Sequence, residues 1–212
     1  MELLQEVSQY TQSHLAELWS ALGEHLLLVA LALTISMAVC IPLGVWTARS
    51  KVVSAVVLNT FNALRVIPSI AVLFLAIPVW GLSFTSAVIA LTLLAFPPVL
   101  VNTDAAYRTI DPAIRESAKG MGMTARQILW RVETPLALPI IVAGIRTAAT
   151  EVIASATLAA FIGIGGLGVF VVRGFALYDI SILLVGAVPV ALLALTAEII
   201  LEAAQRKLQP PA

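Results

Sequence analysis

Apolar residues are concentrated in five long segments of the chain, separated by shorter polar stretches. A helix needs about 20 apolar residues to cross the hydrocarbon core of a bilayer. Inside lipid the backbone must satisfy its own hydrogen bonds, so such segments are expected to be helices. We therefore predict an all-α polytopic membrane protein, whose third span kinks or exits early at Pro97-Pro98. The predicted spans are Leu26–Ala48, Val53–Trp80, Ser86–Val101, Leu136–Phe161 and Ile180–Leu201.

The segment before the first span is more polar. It carries four glutamates and neither lysine nor arginine, whereas a secretory signal begins with basic residues. Its leucines recur at nearly helical spacing, which predicts an amphipathic helix on the membrane surface. We therefore divide the chain into an N-terminal amphipathic segment (1–25), a transmembrane domain (26–204) containing a polar loop (104–135), and a short tail (205–212).

Basic residues predict the orientation, because loops rich in lysine and arginine stay in the cytoplasm. Nine of the 12 basic residues fall on one predicted side of the membrane. This places the polar loop and the C-terminus in the cytoplasm and the N-terminus outside. The nine residues are Arg49, Lys51, Arg108, Arg115, Lys119, Arg126, Arg131, Arg206 and Lys207.

The polar loop carries the signals of two short helices. Asp111 can cap the first helix and Pro112 can be its first residue. Gly120 and Gly122 are expected to end that helix, since glycine tolerates the left-handed conformation of a tight turn.

The second short helix is predicted to start at Thr124, which forms a capping box with Gln127. Thr134-Pro135 is expected to stop it before the fourth span, because the residue before proline avoids the helical region. Apolar side chains interleaved with the charges suit insertion into a groove on a partner protein. They are Ile114, Ala118, Met121, Met123, Ile128 and Leu129.

Polar, charged and helix-breaking residues also fall within the spans, at Asn62, Arg65, Pro68, Arg146 and Glu151. A charge at the membrane centre costs roughly 2.5–3.5 kcal/mol on insertion scales, so it needs a partner or a water-filled path. These residues either line or gate a translocation pathway or form structural ion pairs, and the cost favours structural pairing. Arg146 and Glu151 are five residues apart and do not face each other on one helix, which predicts partners on other helices or on another subunit.

A glycine-rich stretch follows the fourth span. Gly163, Gly165 and Gly168 match the spacing of a dinucleotide-binding fingerprint, but that fingerprint requires a preceding strand. Here it follows a membrane helix on the predicted outer side. We interpret the stretch, which includes Gly166, as a turn that permits close backbone packing beneath an external partner.

Composition narrows the function classes further. Hydrophobic residues make up 60% of the chain and charged residues 11%, against about 25% charged in soluble domains. The net charge of zero argues against a nucleic-acid partner. The sequence contains no nucleophile elbow, metal-ligand motif or phosphate-binding loop. We expect no enzyme activity and no ATP hydrolysis by this chain alone.

The polar loop resembles the EAA loop of inner-membrane subunits of binding-protein-dependent ABC importers. The resemblance rests on Glu116-Ser117-Ala118, Gly122 and Val132–Pro135, with Ser117 in place of the usual alanine and Thr134 in place of the usual leucine. Flanking segments are similar to permeases for glycine betaine, carnitine and choline, and the resemblance covers Leu26–Leu201. Those segments are Asn59-Thr60, Val66–Ser69, Gly120–Met123, Pro135–Arg146 and Ala159–Gly168.

The resemblance implies the permease core of a type I ABC importer in a bacterial inner membrane, taking up compatible solutes for osmoprotection. The polar loop would be the coupling helix that sits in a groove of a cytoplasmic ATPase. The residues implied to couple to the ATPase are Arg115, Glu116, Ser117, Ala118, Gly120, Gly122, Met123 and Pro135.

The resemblance also implies partners. A dimer of ATPase subunits would bind ATP, so no cofactor is expected in this chain. A second permease subunit, identical or closely related, would complete the path within the lipid. An extracytoplasmic solute-binding protein would dock at the glycine-rich stretch (Gly163, Gly165, Gly166 and Gly168).

The sequence leaves three other functions open. One is import of another small solute, such as methionine or another amino acid. The second is a passive channel, which would have no use for a docking loop. The third is a membrane assembly protein, whose loss would leave solute uptake intact.

Overall fold

The computed structural model describes residues 2–209, which form ten α-helices joined by short turns. Residues 210–212 of the predicted tail lie outside the described residues. A π-helical turn (Leu129–Glu133) joins α7 to α8, and a 3-10 segment (Thr157–Ile162) follows α8. The helices are α1 Glu2–Ser13, α2 Leu15–Thr47, α3 Lys51–Leu64, α4 Ser69–Trp80, α5 Phe84–Arg108, α6 Pro112–Gly120, α7 Ala125–Ile128, α8 Thr134–Ala156, α9 Gly168–Leu177 and α10 Ile180–Leu208.

Four helical segments are long and apolar enough to cross a membrane: α2, α5, the continuous stretch Ala125–Ile162, and α10. Helices α3 and α4 together make a fifth candidate span, bent by 92° at a short break. The all-α architecture predicted from the sequence is confirmed, with five spans when the bent pair counts as one.

The first span is longer than predicted, because α2 begins at Leu15 rather than Leu26. Its first three turns pack into the core, where Ala21 and His25 are buried. Only α1 is a separate N-terminal helix; it has no buried residues and packs against α10 and α2.

The bend between α3 and α4 has a local cause. Arg65 is the C-cap of α3, and Pro68 precedes the first residue of α4 with an extended ψ of 136°. Proline disfavours a helical conformation in the residue before it and cannot donate a backbone hydrogen bond. The chain therefore leaves the helix after Leu64 and restarts at Ser69.

Pro97-Pro98 behaves differently, and the expected early exit is wrong. Helix α5 continues through both prolines to Arg108, and both are buried. Neighbouring helices on both sides hold the segment, since α5 packs against α2 and α8. Asn102 Nδ2 donates to the Pro98 carbonyl at 2.8 Å, which adds a side-chain hydrogen bond to the helix just after the two prolines.

The helix stop expected at Thr134-Pro135 is also wrong. Both residues lie in the first turn of α8, which runs on from α7 through the π-helical turn. Proline is tolerated here because the wider π-helical turn before it makes room for the ring, which would clash with the preceding carbonyl in a regular α-helix. Both the Thr134 backbone amide and Thr134 Oγ1 donate to the Leu129 carbonyl, the hydroxyl at 2.8 Å, and these bonds close the wider turn.

Helix α5 forms the centre of the bundle, and small residues bring its neighbours close. Gly44 of α2 lies against Thr103, and Gly144 of α8 lies against Asn102 and the Pro98 carbonyl. Small residues at such crossings are the usual means by which membrane helices approach one another.

We predict that Gly144→Ala destabilises the bundle by about 1–3 kcal/mol through overpacking. The added Cβ would lie 2.6 Å from Asn102 Cβ and 2.8 Å from the Pro98 carbonyl oxygen, and that backbone cannot move aside. Thermal unfolding in detergent and abundance in membranes measure the effect. Gly23→Ala is the matched control, because its Cβ meets nothing within 4 Å. Equal stability of the two variants would contradict the packing argument.

Candidate functional site

The two short helices of the polar loop form as predicted. Asp111 Oδ1 accepts from the Ala113 amide at 2.8 Å, and Pro112 is the first residue of α6. Gly122 adopts φ +78° and reverses the chain. The capping box of α7 is complete, with the Thr124 amide donating to Gln127 Oε1 at 2.8 Å and Thr124 Oγ1 accepting from the Gln127 amide at 3.3 Å.

The loop has an exposed surface and a buried one. Glu116, Ser117, Gly120, Gly122 and Pro135 are exposed and Met123 is half-buried. Among the interleaved apolar residues, Met121 is 74% exposed, whereas Ala118 and Ile128 are buried. Ala118 and Ile128 therefore hold the loop against the body of the protein rather than facing a partner.

A buried carboxylate that the sequence did not single out anchors the loop. Glu133, 1% exposed, lies in the π-helical turn and pairs with arginines from two other segments. Its Oε1 accepts from Arg115 Nε of α6 at 2.5 Å, and its Oε2 accepts from Arg49 Nη2, in the turn after α2, at 2.8 Å. We call these three residues the Glu133 clasp. Removing one partner of a fully buried ion pair costs about 3–5 kcal/mol, and the cost is smaller here because Arg49 and Arg115 are 51% and 26% exposed.

A second network fixes the end of α5 beside the Glu133 clasp. Asp104, 2% exposed, accepts from Arg108 Nε at 2.8 Å and from Ser54 Oγ at 3.1 Å. Arg108 Nη2 also donates to the Ser50 carbonyl at 3.0 Å. The base of the polar loop is thus tied to the turn between α2 and α3.

The charged residues predicted at membrane depth do pair with other helices. Arg65 Nη2 lies 2.7 Å from Glu151 Oε1, and Arg146 Nε lies 3.2 Å from Glu198 Oε1 of α10. Arg146 and Glu151 do not pair with each other, as their spacing predicted. Asn62 is exposed on α3, one turn before the bend.

The Arg65–Glu151 pair lines a cleft of about 500 Å³. The cleft opens at the bend between α3 and α4, halfway along α5. Its walls include Pro68, Ser69, Pro97 and Ser155.

The glycine-rich stretch packs onto α2 of the same chain. Gly163 and Gly166 adopt positive φ, +75° and +94°. A Cβ on Gly165 would overlap the Glu24 carboxylate, and one on Gly168 would overlap the Thr157 carbonyl. The stretch follows a 3-10 segment rather than a strand, so the context of a dinucleotide site is missing.

One hydrogen bond holds this stretch directly, and a second lies just below it. Glu24 Oε2 accepts from the Gly166 amide at 3.1 Å. His25 Nε2 donates to the Ile153 carbonyl at 3.2 Å, which joins α2 to α8 just below the stretch.

Arg173 of α9 makes a further ion pair at the same end of the molecule. It lies 2.5 Å from Glu17 Oε1 and donates to Tyr10 Oη at 3.0 Å. The hydrogen bond to Glu17 raises the pKa of the Arg173 guanidinium above its usual range. This cluster joins α9 to α1 and α2.

Between residues 2 and 209 there is no group of three or more histidine, cysteine or acidic side chains placed to hold a metal ion.

Comparison with curated proteins finds similar chains over nearly the whole length. The choline transport system permease protein OpuBB of Bacillus subtilis is 37% identical over 207 residues, covering 98% of this chain and 95% of the relative. The carnitine transport permease protein OpuCB of Listeria monocytogenes is 41% identical over 189 residues, covering 89% and 87%. The osmoprotectant import permease protein OsmW of Salmonella typhimurium is 40% identical over 192 residues, covering 88% and 89%.

Solved structures show the same fold. An inward-facing structure of the MetNI methionine ABC transporter matches with a TM-score of 0.82 at 21% identity, covering 93% of this chain and 99% of that one. An amino acid ABC transporter crystallised with histidines matches with a TM-score of 0.76 at 20% identity, covering 94% and 97%. The type I ABC importer fold predicted from the sequence is confirmed.

The family model for the binding-protein-dependent transport system inner membrane component matches residues 40–210. Together with relatives that are 37–41% identical over most of their length, this match identifies the family of the chain. The protein belongs to the family of inner membrane components of binding-protein-dependent transport systems.

Proposed function

We propose that this chain is the translocation subunit of an ATP-driven importer that takes up osmoprotectants such as glycine betaine, carnitine and choline. The observation that carries the proposal is the set of relatives aligned over nearly the whole chain, named for choline, carnitine and osmoprotectant transport. The likeness to methionine and amino acid transporters is at 20–21% identity and supports the fold alone.

The polar loop would be the element that docks on the ATPase. Its exposed residues Glu116, Ser117, Gly120 and Met121 form one continuous turn at the end of α6. This surface combines a carboxylate, a small polar residue and a flexible thioether, which suits a groove on a partner protein. Docking of the loop on a cytoplasmic ATPase requires the loop and the C-terminus to lie in the cytoplasm and the N-terminus to lie outside.

The Glu133 clasp would transmit the motion of the docked loop. Arg115 belongs to α6, whereas Glu133 belongs to a helix that continues without a break into α8. A displacement of α6 by the ATPase would therefore pull on α8, which carries Arg146 and Glu151. Such coupling operates only if ATP binding favours one arrangement of the helices over another.

The remaining partners follow from a binding-protein-dependent system. ATP would be bound by a dimer of partner subunits, with no cofactor in this chain. A solute-binding protein would dock near Gly163, Gly165, Gly166 and Gly168, whose rigid packing on α2 offers a fixed platform.

Exposed apolar side chains on the outer faces of α4 and α10 suit lipid or a second copy of the permease. They include Leu75, Val79, Leu192, Leu195 and Ile199.

Uptake of labelled glycine betaine, choline and carnitine by salt-stressed cells, with and without this protein, tests the proposal. We expect uptake of at least one of these solutes to fall to background in the deletion strain and to return with the plasmid-borne gene. Unchanged uptake of all three, in a strain with no second osmoprotectant transporter, would contradict the proposed function.

We predict that Glu133→Gln uncouples ATP hydrolysis from transport. The amide keeps the shape of the side chain but removes the charge that holds Arg49 and Arg115, so α6 loosens from the π-helical turn. Solute moved per ATP should fall about tenfold, which corresponds to a loss of about 1.4 kcal/mol of coupling. Reconstituted complexes in proteoliposomes allow both rates to be measured.

The control for Glu133→Gln is Glu202→Gln, which removes the exposed pair between Glu202 and Arg206, 2.6 Å apart on α10. Exposed pairs contribute little, about 0–1 kcal/mol, so this variant should behave as wild type. A Glu133→Gln complex with normal transport per ATP would show that the clasp plays no part in coupling.

We predict that Gly122→Val leaves the protein inserted but largely abolishes ATPase stimulation by the loaded binding protein. Nothing lies within 4 Å of a Cβ at this position. The only penalty is therefore the φ of +78°, which costs a β-branched residue about 1–3 kcal/mol. Gly122→Asn should retain most activity, because asparagine tolerates this conformation. Equal stimulation in the valine and asparagine variants would refute the turn argument.

A further inference from the structure

The Arg65–Glu151 pair differs from the other ion pair at membrane depth. Its two charged groups line the cleft at the bend between α3 and α4, and the side chains are 47% and 37% exposed. Arg146 and Glu198 do not line that cleft. The Arg65–Glu151 pair is therefore the one whose charges a solute in the cleft would meet.

The surroundings allow the pair to open. Arg65 stands at the end of α3, immediately before the break, rather than within a helix packed on both sides. Glu151 faces it from the second half of α8. The cleft volume, about 500 Å³, falls within the roughly 300–1,000 Å³ of small-molecule sites, which leaves room for a small solute beside the pair.

The charge of the pair suits one class of solute. In the empty cleft the two charges neutralise each other, so neither is left unpaired at membrane depth. A zwitterion can replace this single ion pair by two, with its carboxylate on Arg65 and its cationic group on Glu151. The exchange brings no net charge into the membrane, whereas a simple cation would leave Arg65 without a partner.

The apolar wall of the cleft suits the cationic group. Leu93, Leu94 and Pro97 of α5 lie along the same cleft as Glu151. A quaternary ammonium cannot donate hydrogen bonds, so it combines a charge for Glu151 with methyl groups for these side chains. A primary ammonium has no methyl groups to pack against this wall.

We propose that the Arg65–Glu151 pair is a transient binding site for zwitterionic solutes with a quaternary ammonium, opened by the solute as it crosses. The proposal rests on the proposed function and adds to it which residues recognise the solute inside the membrane. It assigns Arg65 to the carboxylate and Glu151 to the ammonium.

The first test compares two solutes in the complete importer, reconstituted with its ATPase and binding protein. Glycine betaine has a carboxylate and choline lacks one. Arg65→Gln should lower glycine betaine uptake about tenfold or more, on the scale of 1.4 kcal/mol per factor of ten. It should leave choline uptake unchanged or raise it, because choline has no carboxylate for Arg65. Arg65→Lys, which keeps the charge, should restore most of the glycine betaine uptake.

Arg146→Gln is the matched control, because it breaks the other membrane ion pair. Any effect on folding or coupling should reduce uptake of both solutes by the same factor. An equal reduction of both solutes by Arg65→Gln, or no reduction at all, would overturn the proposal. A wild-type complex that carries none of the osmoprotectants would instead overturn the proposed function.

The second test reads occupancy directly and does not depend on choline being carried. Ser155 lines the cleft one helical turn beyond Glu151, whereas the native Cys40 is fully buried. A water-soluble thiol reagent should therefore modify Ser155→Cys and leave the parent chain unlabelled. Glycine betaine at millimolar concentration should slow this labelling at least about threefold, and Arg65→Gln should abolish the protection. If complexes that take up glycine betaine show no protection, the proposed binding site is wrong, while the proposed function stands.

Discussion

The structure at the base of the bundle depends on a buried carboxylate. Glu133 is almost inaccessible to solvent and accepts from arginines of two other segments. A charge buried to this degree is tolerated only when it is paired. The pairing therefore requires the turn after α2, the short helix α6 and the start of α8 to meet at one point. This contact between the three segments fixes the position of the exposed surface of the polar loop.

The ion pairs at the base of the polar loop differ from the pair that lines the cleft. In the pairs of Glu133 and Asp104 the carboxylate is buried, accepts from several groups and lies at the base of the polar loop. The Arg65–Glu151 pair is half-exposed and borders a cleft. The first kind makes one arrangement of the chain rigid, whereas the second can exchange partners. A transport protein needs both a rigid base and a pair that can open. Here the rigid pairs lie at the base of the polar loop, and the pair that can open lies at the bend between α3 and α4.

The sequence predicted the local features of the candidate site well, since caps and turns depend on neighbouring residues. Asp111, Gly122 and Thr124 act as their types and spacing indicated. Pro97-Pro98 and Pro135 did not break the chain, because packing on both sides and a wider helical turn override the local preference. The partners of Glu133 lie 84 and 18 residues away, and no periodicity in the sequence indicates such a contact.

The π-helical turn also determines the direction in which the side chains of α8 point. One extra residue in a turn rotates the rest of an α-helix by about 100° around its axis. Arg146 and Glu151 therefore point toward α10 and α3 only because Leu129–Glu133 contains that extra residue. A shortening of this turn by one residue would leave every side chain of α8 chemically intact and aim both charges at the wrong neighbours.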